Sequence, residues 1–193
     1  MHTARQASFV SSLAALAIFF SGLSGAAYSE YTSAKEKLDS VESDRLRPGA
    51  RVTLSYAELN AFARQEAPAG VRNPKMTVTS PGVATGTALI DFGKLERSKG
   101  AKPGWLMSKL LDGERPVSVT ARLTTARVQA TVAVERVEIS GIVIDGRTLD
   151  FLIQNFLMAM YPDAVIGKPF ELSHHIDRIS VLPTAVTIAI AGK

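Results

Sequence analysis

The sequence predicts an α+β protein in which a strongly curved antiparallel β-sheet wraps around a long apolar helix. One observation behind this prediction is a nearly all-apolar helical stretch at residues 149–161. The other is a series of alternating strand-like runs, joined by short turns, on both sides of that stretch. Short turns favour antiparallel neighbours, because parallel strands need long crossover connections.

The helical stretch reads LDFLIQNFLMAMY, between a glycine at 146 and a proline at 162. Its apolar side chains recur with the period of one helix face, and further apolar residues lie off that face. A helix that is apolar nearly all round is buried on several sides or contacts something apolar that is not protein. A packed core and a ligand cavity require the same residues here, so both interpretations stay open.

The N-terminal 27 residues have the features of a secretory signal peptide. A short polar start containing Arg5 precedes an uncharged apolar run at 9–23, and small residues follow at 24–27. Residues 8–28 are alternatively long enough to remain as an uncleaved membrane anchor. Both alternatives predict export, to the periplasm or to a membrane-anchored position facing it. Residues 28–50 are polar and predict a linker or short helix, and 51–193 predict one domain.

The domain is expected to begin with a strand at 51–54 and a helix that starts after Ser55. Ser55 and Glu58 have the spacing of a capping box, in which each side chain accepts a hydrogen bond from the other residue's backbone. Leu59 and Phe62 lie on one face of this helix. Pro68 and Gly70 end it.

The remaining elements are expected to be strands. Residues 75–79 and 83–91 form a hairpin pattern around a Ser-Pro-Gly turn, and 117–123 and 127–139 form a second, valine-rich pair. The alternation changes phase between Val134 and Val137, which predicts a bulge. Residues 141–144 continue or close that pair. A short edge at 170–172 and strands at 176–182 and 185–191 complete the chain.

Residues 94–111 interrupt the strand pattern with a basic first half and an amphipathic second half. Cations beside an aromatic residue suit an anionic headgroup interface, because tryptophan prefers that depth and basic side chains extend toward the headgroups. A solvated loop before a core-packing helix is the alternative. The headgroup interpretation assigns a mouth to Lys94, Arg97, Lys99, Lys102, Trp105 and Leu106.

Composition and motifs argue against most enzyme classes. The chain has no cysteine, and its net charge of +4 comes without a nucleic-acid-reading motif. His174 and His175 are adjacent, so on a strand they point to opposite sides, and we expect surface loop histidines rather than a metal site. Serine-hydrolase and nucleotide-phosphate motifs are absent. Carboxylates such as Glu135 and Glu138 alternate with apolar residues and are expected to be solvated. We predict no catalytic residues, no metal, no cofactor and no nucleic-acid partner.

Three stretches resemble a known family pattern. They are RVTLSYAELNAFARQ (51–65), VEISGIVIDGRTLDFLIQNFL (137–157) and IDRISVLPTAVTIAIAG (176–192). In this order they are similar to small exported lipid-binding domains, the LmeA-like and YceB-type proteins of the tubular lipid-binding (TULIP) superfamily. The resemblance covers most of residues 51–192. It differs from the family pattern at 94–111, which is longer and more charged than a simple hairpin turn.

The resemblance implies a half-barrel sheet around a long helix, enclosing an apolar tunnel for acyl chains. The tunnel would be lined by Leu59, Phe62, Val132, Val134, Leu152, Ile153, Phe156, Leu157, Met160 and Ile188. The expected function is therefore binding or transfer of a phospholipid or other hydrophobic molecule in the bacterial envelope, at a membrane surface. The alternative is a membrane-anchored structural or interaction protein with a solid core and an envelope protein as its partner.

Overall fold

The computed structural model describes residues 25–95, 105–160 and 165–192, without the side chains of residues 25–27, 105–107 and 160. It confirms an α+β fold built mostly of antiparallel strands. The elements are α1 (Gly25–Glu42), β1 (Arg51–Leu54), α2 (Tyr56–Gln65), β2 (Val71–Ser80), β3 (Val83–Asp91), α3 (Trp105–Leu110), β4 (Glu114–Ala126), β5 (Gln129–Ile139), β6 (Ile142–Ile144), α4 (Gly146–Leu152), a π-helical turn (Ile153–Leu157), α5 (Met158–Met160), β7 (Pro169–Glu171), β8 (Ile176–Leu182) and β9 (Ala185–Ile190).

The described strands form two sheets rather than the expected single sheet. A six-stranded sheet has the order β2-β3-β4-β5-β6, with β7 also paired to β5, and a three-stranded sheet has the order β1-β9-β8. The short strand β1 pairs antiparallel with β9, so the first and last strands of the domain are neighbours. Backbone bonds connect the sheets at β8: Gly82 N donates to Val181 O (2.8 Å) and Val128 N to Asp177 O (3.2 Å).

The predicted hairpins and the predicted bulge are confirmed. Strands β2 and β3 pair around the Ser-Pro-Gly turn, although β2 begins earlier than expected, at Val71. Thr120 of β4 pairs with Arg136 of β5, and the next residue, Ala121, pairs with Val134. Glu135 is therefore the extra residue on β5. Such a bulge bends the strand and increases its twist. Residues 142–144 turn back as β6, because Ser140 and Gly141 both have positive φ.

Helix α2 begins with the predicted capping box, and Glu58 has a further role. Ser55 Oγ accepts from Glu58 N (3.1 Å), and Glu58 Oε2 accepts from Ser55 N (2.7 Å). The other carboxylate oxygen accepts from Lys37 Nζ (2.5 Å) and Ser33 Oγ (2.6 Å) on α1. One buried carboxylate, 8% exposed, therefore caps α2 and holds α1 against it.

Asn60 attaches α2 to the edge strand β2. Its amide nitrogen donates to Met76 O (3.2 Å), and its amide oxygen accepts from Met76 N (2.7 Å). The amide of Asn60 thus bonds both backbone polar groups of Met76, as a residue of a neighbouring strand would. Pairing of this kind satisfies an edge that is otherwise free to recruit another chain.

Residues 28–50, expected to be a linker or a short helix, contain most of the 18-residue helix α1. Ala34, Leu38 and Val41 on this helix are buried. They pack with α2 and the three-stranded sheet in one apolar cluster, hereafter the first core. The sequence prediction underestimated this helix because its few apolar residues are separated by charged ones.

The expected long helix at 149–161 is interrupted. Residues 146–160, hereafter the cover segment, consist of α4, the π-helical turn and α5. Asn155 Nδ2 donates to Phe151 O (2.8 Å), so the side chain bonds the carbonyl that an α-helix would pair with the Asn155 backbone N–H. The cover segment packs on the six-stranded sheet in a second core that includes Phe92, Ile139 and Ile144. It is therefore not the centre of the whole domain.

Among the described residues, no helix has both the length and the apolar character needed to cross a membrane. The predicted signal or anchor segment at residues 1–27 lies almost entirely outside the described residues.

The contacts of Glu58 predict an acid-sensitive stability. Burial raises the pKa of this carboxyl, but the bonds from Lys37, Ser33 and Ser55 outweigh it and lower the pKa from 4.5 to about 2. Because the folded-state pKa is depressed, Glu58 stabilises the fold above pH 4.5 and loses that effect as the pH falls toward 2. Glu58→Ala is expected to lower the free energy of unfolding at pH 7 by about 2 kcal/mol, measured by urea denaturation.

The matched control is Glu135→Ala, which removes an exposed pair with Arg122 and is expected to cost at most about 0.5 kcal/mol. The difference between wild type and Glu58→Ala should shrink at about pH 3. A difference that is the same at both pH values would contradict this account.

Candidate functional site

An apolar cavity lies between the inner face of the six-stranded sheet and the cover segment. Its floor comes from β3, β4 and β5, and its roof comes from the cover segment and residues 165–170. Among the described residues, every lining side chain is aliphatic or aromatic, apart from one glycine. The lining consists of Ala84, Gly86, Ile90, Phe92, Leu95, Val117, Val119, Ala121, Val132, Val134, Val137, Ile139, Leu149, Leu152, Ile153, Phe156, Leu157, Val165, Ile166 and Phe170.

Small side chains in the middle of the sheet create this space. Ala84 on β3 is directly opposite Ala121 on β4, and the next inward pair is Gly86 with Val119. A Cβ atom added to Gly86 would meet no heavy atom within 4 Å. Inward positions of a packed sheet normally carry large β-branched or aromatic residues. The three small residues therefore leave the gap that the first and second cores do not fill.

The cover segment closes the cavity with few fully buried side chains. Among its described residues only Phe156 is buried, at 5% exposure, and α4 buries none. Phe156 packs edge-to-face on Phe92, with ring centroids 5.4 Å apart, and on Phe151 at 6.3 Å. This aromatic cluster fixes one end of the roof. The widened π-helical turn beside it resembles the irregular turns that often occur at functional sites.

The cavity has the size and chemistry for a hydrocarbon group. Its volume is about 160 Å³. An apolar cavity of about 150 Å³ engineered in another protein stays dry and accepts benzene. The lining offers a ligand no hydrogen-bonding side chain among the described residues, so selection there depends on shape and apolar contact. The lining on β3 extends from Ala84 to Ile90, about 20 Å along an extended strand.

Six of the predicted tunnel residues meet at this cavity: Val132, Val134, Leu152, Ile153, Phe156 and Leu157. Leu59, Phe62 and Ile188 do not, and their expected position is corrected. They are buried in the first core, where α1 and α2 pack with the three-stranded sheet and with Met76 of β2. The side chain of Met160 lies outside the described residues.

The predicted mouth is described only in part. Lys94 Nζ pairs with Asp91 Oδ2 (2.7 Å) in the loop after β3, and its hydrogen bond lowers the pKa of the Asp91 carboxyl. Arg97, Lys99 and Lys102 lie outside the described residues. Trp105 and Leu106 lie in α3, but their side chains are not described. The headgroup role of these residues stays a prediction.

The floor of the cavity and one inward-facing cation were not predicted from the sequence. Alternation along β4 puts Arg115 in phase with Val117, Val119 and Ala121, and Arg115 pairs across the sheet with Ile90. The same alternation identifies Ala84 and Gly86 as inward positions on β3. Reading each strand for the size and charge of its inward residues would have found all of them.

Other candidate groups have structural explanations. Glu135, on an exposed strand position, pairs with Arg122, and the half-buried Glu138 pairs with Arg136. His174 and His175 lie in a turn with positive φ, and His174 contacts Asp44 at 3.3 Å. No cluster of three or more potential metal ligands occurs in the described ranges.

No protein-family model, curated protein or solved structure matches this chain. The proposed function therefore rests on the chemistry of the cavity.

Gly86 gives a direct test that the space is empty. Its backbone has no positive φ, and a methyl group at Cβ would enter open space. Gly86→Ala is expected to raise the free energy of unfolding by about 0.5–1 kcal/mol, because alanine loses less backbone entropy on folding. Urea denaturation of both proteins measures the change.

Gly82→Ala is the control, because Gly82 has φ +77° and its added Cβ would lie 3.0 Å from Leu123 O. This variant should lose about 1 kcal/mol or more. A loss of stability in Gly86→Ala would mean that the cavity floor is already filled.

Proposed function

We propose that the chain is an exported, non-enzymatic protein that binds or transfers a lipid or other hydrophobic molecule in the cavity under the cover segment. The observation that carries the proposal is an apolar cavity with no polar lining side chain among the described residues. A cavity of this kind favours hydrocarbon, since each buried methylene group contributes about 0.8 kcal/mol. A water molecule is not stabilised in such a cavity, because a buried water needs two or more hydrogen-bond partners.

The volume argues for one chain. About 160 Å³ holds a single short hydrocarbon segment, and two acyl chains side by side exceed it. A longer chain requires the cover segment to move outward. Its few fully buried side chains make such movement inexpensive, because weakly buried elements open at low free energy.

The proposed location follows from the leader-like residues 1–27: the periplasm, or a membrane-anchored position facing it, with a membrane surface as the source of ligand. The resemblance to tubular lipid-binding domains supports the same proposal. In it, the cover segment and the six-stranded sheet correspond to the family's helix and curved sheet.

A structural or interaction protein of the envelope is the second candidate. The observation that favours it is the edge strand β6, where Ile142 is 56% and Val143 48% exposed. Exposed apolar residues on a sheet edge are typical of surfaces that contact another protein.

Filling the cavity should abolish hydrocarbon binding. Gly86→Leu puts an isobutyl group into the open space, and we expect it to weaken binding of the neutral fluorescent probe N-phenyl-1-naphthylamine by about tenfold or more. Probe fluorescence on the purified chain measures the dissociation constant, and circular dichroism checks that the variant is folded.

Thr87→Leu is the matched control, since Thr87 is the next residue on the same strand and is exposed on the opposite face. It should bind the probe as the wild type does. Equal binding by wild type and a folded Gly86→Leu variant would overturn the cavity as the site, and would favour the interaction protein.

A further inference from the structure

Arg115 is an unusual residue for the inner face of the sheet. It is the first inward position of β4, directly before the cavity residues Val117, Val119 and Ala121 on the same face. Its cross-strand partner is Ile90, which also lines the cavity. A guanidinium therefore stands at the end of an otherwise apolar surface.

The guanidinium of Arg115 is incompletely bonded. Nη2 donates to the carbonyl of Lys109 at 3.2 Å, in the last turn of α3. Nε is buried and has no hydrogen-bond partner among the described residues. No carboxylate in the described ranges forms an ion pair with this side chain, although Arg72, Arg122 and Arg136 each have one. Buried donors are almost always paired, so this one calls for an explanation.

We propose that Arg115 binds the anionic group of the ligand, and that the ligand is a single-chain anionic amphiphile. This inference rests on the proposed function. The hydrocarbon chain lies in the cavity along β3 and β4, and its carboxylate or phosphate oxygens accept from Nε and Nη2 side by side. Arginine is suited to this role because its fixed fork of donors matches two oxygens of one anion.

Binding replaces one contact and adds another. The anion displaces the Lys109 carbonyl from Nη2 and gives Nε the acceptor that it lacks. The Lys109 carbonyl lies at a helix end, where water satisfies it readily. The ligand thereby removes the unsatisfied donor, and the Arg115 guanidinium neutralises its charge.

The test compares ligands that differ only in the headgroup. Decanoate, decyl phosphate and decanol are titrated into the purified chain by calorimetry, below their aggregation concentrations. We expect at least one anion to bind about tenfold more tightly than decanol, because a pair of charge-assisted hydrogen bonds is added. The tighter of the two anions identifies the headgroup as carboxylate or phosphate.

Arg115→Gln should remove this preference and bind decanol within about threefold of the wild type. The matched control is Arg122→Gln, on the same strand but outward and paired with Glu135, and it should keep the preference. Unchanged anion preference in Arg115→Gln would overturn the inference, and so would equal weakening of all three ligands, which indicates a structural role.

The wild-type titrations alone separate the two proposals, even if Arg115→Gln does not fold. Binding of decanol without any preference for an anion would refute the role of Arg115 and leave the cavity function intact. Failure of all three ligands to bind would refute both.

Discussion

The rest of the structure depends on the need to shield the inner face of the six-stranded sheet from water. That face carries valine, isoleucine and alanine on β3, β4 and β5. Exposing it would forgo about 25 cal/mol for each square ångström of apolar surface. The cover segment meets this need from one side with one fully buried phenylalanine, and the small residues Ala84, Gly86 and Ala121 leave a gap beneath it. The cavity thus arises from a cover that spans the sheet without filling it.

The two cores of the domain differ in how they are closed. The first core has two helices on the small sheet, joined through Glu58 and tied to β2 by Asn60. The second core has the cover segment, which follows Asp145, an N-cap residue without a side-chain cap bond, and contains a π-helical turn. Under the proposed function, firm attachment on one side and loose closure on the other would let a ligand enter without unfolding of the domain. The residues Ser-x-x-Glu-Leu-Asn at the start of α2 belong to the first core. Ser55, Glu58 and Asn60 form its hydrogen bonds, and Leu59 packs in its apolar cluster.

The sequence predicted the elements better than their arrangement. The capping box at Ser55, the two hairpins and the bulge at Glu135 follow from local rules, so a single chain segment contains their signal. The pairing of β1 with β9 and the separation into two sheets depend on contacts far apart in sequence. Helix α1 was underestimated because its stability comes from Glu58 and the first core, and its own pattern is weak.

The candidate site was likewise predictable from the sequence only in part. The resemblance assigned six residues to one space, and the structure also brings them together at the cavity, but it assigned Leu59, Phe62 and Ile188 to that space as well. Apolar periodicity identifies an inward face without saying which core it joins. The residues that create the cavity, above all Gly86, do so because their side chains are small or absent. A search for large apolar side chains does not identify them. Arg115 was missed because it lies just before the run of valines.

The central claim is that the cavity holds a hydrocarbon chain when the protein is made by its cell. Native mass spectrometry of the purified chain, followed by organic extraction, tests this most directly. The account predicts a discrete added mass of one single-chain amphiphile per protein, and its release into the organic phase. A folded chain that carries no added mass, and gains none when decanol is supplied, would contradict it.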